Sequence, residues 1–156
     1  MFDRFTSEAR AVLVSAENEA QQAGAAAVDS VHLAIACLGQ DESDVSRLLS
    51  HHDISPKMIA GMLKTGPVAD PGGGRLPISD LVKRELVAAM RLAMAGGRAM
   101  VTSAHVLDAI LLVDPDGQLV SALHLAGVDP DQWREDLGSG TSGESIATGR
   151  GSTTAD

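Results

Sequence analysis

Val28-Asp29-Ser30-Val31-His32-Leu33 is echoed 73 positions later by Val101-Thr102-Ser103-Ala104-His105-Val106. The echo extends well beyond that hexapeptide. At the same offset Phe5-Thr6 pairs with Ile78-Ser79, Ala20 with Ala93, and Gly24 with Gly97. After one inserted residue the match resumes at an offset of 74, pairing Val45 with Leu119, Leu49 with Leu123, and Ile59 with Trp133. Asp53-Ile54-Ser55-Pro56 then answers to Gly127-Val128-Asp129-Pro130. A fixed period of this length marks a duplicated structural unit, so whatever fold the first copy takes, the second should take too.

The periodicity inside each copy is helical. Phe5, Ala9, Val12, Ala16, Ala20 and Ala23 recur at spacings of three and four, one apolar stripe on a helix from about Thr6 to Ala23. Thr6 is the expected N-cap, Glu8 suits the positive end of the helix dipole, and Gly24 can supply the left-handed residue that ends the helix. Ser79, Asp80 and Gly96-Gly97 repeat that punctuation. Shorter helices are expected from Ser30 and Ser103, and third helices over about Asp44 to His51 and Gly117 to Ala126. Fourth helices should begin at Ser55-Pro56 and Asp129-Pro130, where a proline in the first helical position sacrifices no hydrogen bond. The fold class that follows is all-α: two tandem four-helix repeats, eight helices and no strand.

Glycines and prolines crowd the stretch from Gly66 to Gly74, which can continue no regular element. From Gly138 onward Ile146 is the one large apolar residue, too little to pack. The expected division is 1–66 for the first repeat, 67–75 for a flexible linker, 76–137 for the second repeat and 138–156 for a disordered tail. A copy of about 60 residues is marginal alone. The two should therefore pack as one pseudo-twofold globule, with Ala34, Ala36, Ala88 and Ala89 permitting close helix approach.

The formal charge is −9, and it is evenly spread: residues 1–66 and residues 76–137 each hold 5 basic and 9 acidic side chains. With no basic face and almost no aromatics, the chain lacks both the phosphate neutralisation and the stacking platforms that nucleic-acid binding requires. The single cysteine, Cys37, permits no internal disulfide, lies in an apolar run as a buried hydrophobe would, and fits a reducing compartment. The opening residues do not form a secretory leader, and no apolar run is long enough to span a membrane. A cytoplasmic location is expected.

The residues that carry a family likeness are the opening MFDRFTSEARAVLVSAENEA with Val-Asp-Ser-Val-His-Leu after it, and LPISDLVKRELVAAM with Val-Thr-Ser-Ala-His-Val-Leu after it. Over residues 1 to about 137 the chain resembles the N-terminal repeat domain of Clp unfoldases, of the ClpC type. In that family the domain receives substrates or adaptor proteins for unfolding and delivery to the ClpP peptidase. No Gly-x-x-x-x-Gly-Lys-Ser/Thr loop is present, so ATP hydrolysis is not expected. The resemblance implies a stand-alone, non-enzymatic peptide- or adaptor-binding module of the Clp system. Sequestering ligands of the full unfoldase, cyclic peptide antibiotics among them, is one role it suggests. A structural accessory that docks on the peptidase or unfoldase ring is the alternative.

The resemblance also nominates residues. A ligand groove between the repeats, where ClpC-type domains bind cyclic peptides, would take in Phe2, Arg10, Ile78, Lys83 and Val87, with Ile78 replacing the family's Phe and Val87 its Glu. The plainer reading has Phe2 packing on the fifth helix and Arg10 as a solvated charge. The helix starts at Ser30 and Ser103 offer backbone N–H groups to an anion. Family members that read phosphoarginine use a glutamate in each repeat where this chain has Val31 and Ala104, so that recognition should be weak or absent. His32 and His105 recur because the motif is duplicated, and a structural role is expected, since one histidine per motif falls short of a metal site. His51 and His52 point to different helix faces. Met58, Met62, Met90 and Met94 read as core filling. No catalytic residue, metal or cofactor is expected.

Overall fold

A computed structural model describes residues 3–40, 44–63 and 76–141. The expected groove residue Phe2 and the expected linker 67–75 lie outside them, as does the tail from residue 142.

Eight α-helices are present among the described residues: α1 (Ser7–Gln22), α2 (Ser30–Leu38), α3 (Asp44–His51), α4 (Pro56–Met62), α5 (Asp80–Ala95), α6 (Ser103–Val113), α7 (Gln118–Leu125) and α8 (Pro130–Thr141). The last runs past residue 137, where the change in composition sets the end of the second repeat. The first helix of each repeat starts where its cap predicts. The Thr6 hydroxyl accepts from the Ala9 N–H at 3.1 Å, and the Ser79 hydroxyl accepts from the Val82 N–H at 3.2 Å. Both helices stop at a left-handed glycine, Gly24 (φ 69°) and Gly97 (φ 76°). The following N–H closes each end by reaching back five residues, Ala25 to the Ala20 carbonyl at 2.9 Å and Arg98 to the Ala93 carbonyl at 2.8 Å.

The second helices begin at Ser30 and Ser103, but their caps are the residues before these serines. In α2 the His32 Nδ1 accepts from the Asp29 N–H at 2.9 Å, while in α6 the His105 Nδ1 accepts from the Thr102 N–H at 3.0 Å. Histidine here takes the place that Glu or Gln fills in a capping box. The recurrence of these histidines therefore has a structural cause.

α1 packs on α2 and α5 on α6, giving each repeat a hairpin, and α2 and α6 meet at the centre. α6 is enclosed on all sides, every residue from Ser103 to Leu111 being buried. Further contacts interleave the copies, with α3 lying on α8 and α4 on α7. Two short parallel bridges tie the copies at equivalent points, Phe5 to Val101 and Val28 to Ile78. In the first, the Thr6 N–H donates to the Val101 carbonyl at 3.0 Å and the Val101 N–H to the Arg4 carbonyl at 2.7 Å. The second repeats this with Ser79 to Val28 at 2.9 Å and Val28 to Pro77 at 2.8 Å. Each donor and acceptor in one bridge lies 73 residues from its counterpart in the other, the mark of a pseudo-twofold relation between the repeats.

A single apolar cluster spans both copies and includes Phe5, Val12, Leu33, Leu49, Leu86, Leu107, Leu123 and Trp133, all buried. Burial of each large apolar side chain contributes roughly 1.5–3 kcal/mol. Cys37 is buried between α2 and α6 with its thiol directed at the Ser103 carbonyl, and burial pushes the thiol well above its usual pKa, so it stays protonated. The methionines divide in a way the core-filling expectation did not allow. Met62 and Met90 pack against the cluster, but Met58 and Met94 are exposed. A helical stripe four residues apart turns only partly inward, because four residues overshoot one turn.

Candidate functional site

The outer face of α1 carries Arg10, Leu13, Val14 and Glu17, which are off the buried stripe of Ala9, Val12, Ala16 and Ala20. Across it runs the segment leading into α5. The Leu76 N–H donates to the Glu17 Oε2 at 3.0 Å, and the bridge at Val28 holds Pro77 and Ser79. Ile78 is thereby set beside α1. Between the two lies a cavity of about 270 Å³ lined by Arg10, Leu13, Val14, Glu17, Leu76 and Ile78, with Leu33 and Val82 below. Its walls are aliphatic, and Val14 is 62% exposed. The Arg10 guanidinium reaches the Asp3 carbonyl at 3.4 Å at its rim. Apolar walls with a few placed polar groups are what a small peptide site needs.

The fold divides the four expected groove residues that lie among the described residues. Arg10 and Ile78 share this cavity, whereas Lys83 and Val87 line a separate groove of about 690 Å³ between α5 and the end of α6. Leu13, Val14, Glu17 and Leu76 were not singled out from the sequence. Leu13 and Val14 left a signal there, as apolar residues that the helical stripe does not use.

The helix starts at Ser30 and Ser103 are each met by a carboxylate from the other repeat. The Ser30 hydroxyl donates to the Glu85 Oε2 at 2.6 Å. The Ser103 N–H donates to the Glu8 Oε1 at 3.1 Å, and the Ser103 hydroxyl to the Glu8 Oε2. Both positions are thus occupied by a carboxyl group that the chain itself supplies. Glu85 is fully buried, and burial, with Asp114 and Asp29 nearby, pushes its carboxyl up to about 7 against the pull of the Ser30 hydrogen bond. Asp29 completes the seam, accepting from both the Ser30 N–H at 2.8 Å and the Ser79 hydroxyl at 3.0 Å. Among the described residues no group of three His, Cys, Asp or Glu is placed to hold a metal, and no helix is long and apolar enough to cross a membrane.

The model of the Clp repeat (R) N-terminal domain matches residues 4–112, taking in the first repeat and the α5–α6 hairpin of the second. The chain belongs to this Clp N-terminal family. An uncharacterized protein of Mycobacterium tuberculosis is 28% identical over 137 residues, which are 87% of this chain and 53% of that protein. The chain thus spans about half the length of that relative. Among solved structures, the Hsp104 N-terminal domain from Candida albicans has a TM-score of 0.72 at 16% identity, covering 86% of this chain and 89% of that one. The N-domain of ClpV from Vibrio cholerae has a TM-score of 0.74 at 15% identity, covering 92% and 89%. At these identities the likeness establishes the shared fold. This Clp N-domain keeps the family's doubled architecture and places its α1 cavity at the junction of the two repeats.

Proposed function

We propose that this Clp N-domain is a non-catalytic peptide- or adaptor-binding module of the Clp system, of the ClpC type and acting in the cytoplasm. Its occupant sits in the cavity between α1 and the segment before α5. The observation that carries this reading is the cavity's construction: aliphatic walls of Leu13, Val14, Leu76 and Ile78, with the Arg10 cation and the Glu17 carboxylate at hand. The apolar walls gain from excluding water, while Arg10 donates to a peptide carbonyl or carboxylate and so orients the chain. Nothing in the site resembles a nucleophile paired with a base, so the chemistry it offers is recognition. A cyclic peptide of the antibiotic kind is the apt probe, because ring closure removes much of the ordering cost of binding.

Calorimetric titration of such a cyclic peptide checks the reading. The wild type should bind saturably, and Arg10→Ala and Ile78→Ala should each weaken binding by about tenfold. An absence of heat with the wild type, or wild-type affinity in both variants, rules the cavity out.

A further inference from the structure

The groove that holds Lys83 and Val87 belongs to a second surface, separate from the α1 cavity. Positions 83, 87 and 91 of α5 fall on one helix face, with Arg84 and Leu92 flanking them. Lys83, Arg84 and Arg91 are exposed, and Val87 and Leu92 are partly buried between them. The facing wall comes from the end of α6, where Leu112 is 46% exposed and Val113 follows it. An apolar floor is thus bordered by three cations, on a chain whose net charge is −9.

The duplication supplies an internal control. At the 73-residue offset Lys83 and Val87 correspond to Arg10 and Val14, but Arg84, Arg91 and Leu92 correspond to Ala11, Asn18 and Glu19, and Leu112 and Val113 to Gly39 and Gln40. α6 is 11 residues long where α2 has 9, and the additional residues are what carry Leu112 and Val113 to the groove. The first repeat folds into the same hairpin with Asn18, Glu19 and Gln40 at this place. Folding therefore does not demand cations at 84 and 91 or an aliphatic side chain at 112, and in the second repeat Leu112 costs exposed apolar surface.

We propose that the α5–α6 groove docks an acidic amphipathic helix of a partner protein. Its aliphatic side chains would sit on Val87, Leu92 and Leu112, and its carboxylates would meet Lys83 and Arg84 at one end and Arg91 at the other. The cations at 83 and 91 are eight residues apart, roughly 12 Å along the helix, which matches carboxylates two turns apart on a packed partner helix. Charge complementarity selects an acidic partner over a basic one.

The test uses a synthetic fluorescent helix with leucines at i, i+3, i+4 and i+7 flanked by glutamates, and a second peptide in which lysines replace those glutamates. Anisotropy should show saturable binding of the acidic peptide alone, weakening as salt is raised. Arg91→Glu and Leu112→Gln, both at exposed positions, should each reduce affinity by about tenfold or more, while Asn18→Ala at the equivalent place in the first repeat leaves it unchanged. Amide shifts on adding the peptide should map to α5 and α6. Equal binding of both peptides, failure of the acidic peptide to bind, or shifts confined to the α1 cavity would each overturn the proposal.

Discussion

The Ser30 hydroxyl and the Glu85 carboxylate, 55 residues apart and in different repeats, are joined by a hydrogen bond of 2.6 Å. Glu85 has no exposed surface, and its Oε1 has no hydrogen-bond partner. A carboxylate so placed is costly to ionise, and the proton it retains makes the seam between repeats sensitive to pH.

The sign follows from the carboxyl's two states. In the fold Glu85 titrates at about 7, against its ordinary 4.5, so between these values the unfolded chain holds fewer protons. Its contribution to stability is complete below 4.5 and falls away as pH rises through 7. Glu85→Gln keeps an oxygen acceptor for Ser30 and cannot ionise. Denaturant unfolding should show the wild type losing about 2–3 kcal/mol between pH 5 and pH 8 relative to this variant. Identical pH slopes in the two proteins would refute the assignment.

The duplication and the helix ends were legible in the sequence because each rests on local chemistry. Thr6, Ser79, Pro56 and Pro130 cap or open helices wherever they stand, and Gly24 and Gly97 end them by backbone geometry alone. The starts at Ser30 and Ser103 were legible as well, but not which side chain caps them, since Asp29-Ser30 and Thr102-Ser103 each offer two capping side chains in succession. The division of the groove was not legible. An offset of 73 says which residues are equivalent, not which are adjacent, and only the folded chain shows Arg10 at the α1 cavity and Lys83 at the groove between α5 and α6.

His32 should produce the opposite pH dependence. Its Nδ1 accepts the Asp29 N–H, so Nε2 carries the ring's proton, buried and without a partner. Burial lowers the pKa, outweighing the attraction of Asp29 and Glu19. The folded state therefore resists protonation, and stability present above the ordinary value of 6.5 declines as pH falls below it. His32→Gln retains an acceptor at the third helical position without a titrating ring. Thermal unfolding between pH 7 and pH 5 should show a shallower decline for the variant, and a parallel decline would contradict this account.

Asp53 occupies a left-handed conformation, φ 56°, at the place where the second repeat has Gly127, φ 82°. The two turns close alike, Ile54 N–H to the Leu49 carbonyl at 2.9 Å and Val128 N–H to the Leu123 carbonyl at 2.8 Å. A side chain in this region is strained, and aspartate tolerates it better than most. Asp53→Gly should thus be neutral or stabilising by up to about 1 kcal/mol, and Asp53→Val destabilising by about 1–2 kcal/mol, both read by denaturant midpoint. Equal stability of the two variants would show that the turn bears no such strain.

Free phosphoarginine should fail to bind, for two independent reasons. The carboxylates that would grip its guanidinium are replaced by Val31, partly buried on the core, and Ala104, fully buried. At the start of α6 the N–H and hydroxyl of Ser103 are already taken by Glu8, so an arriving phosphate meets like charge where it needs donors. Loss of the charge-assisted bonds alone, roughly 1.5–3 kcal/mol each, lowers affinity by about a hundredfold or more. Glu8→Gln removes the repulsion but restores no grip on the guanidinium, so it too should remain silent in calorimetric titration. Saturable heat from the wild type would mean that another carboxylate takes over that role, and from Glu8→Gln alone that repulsion was the whole barrier.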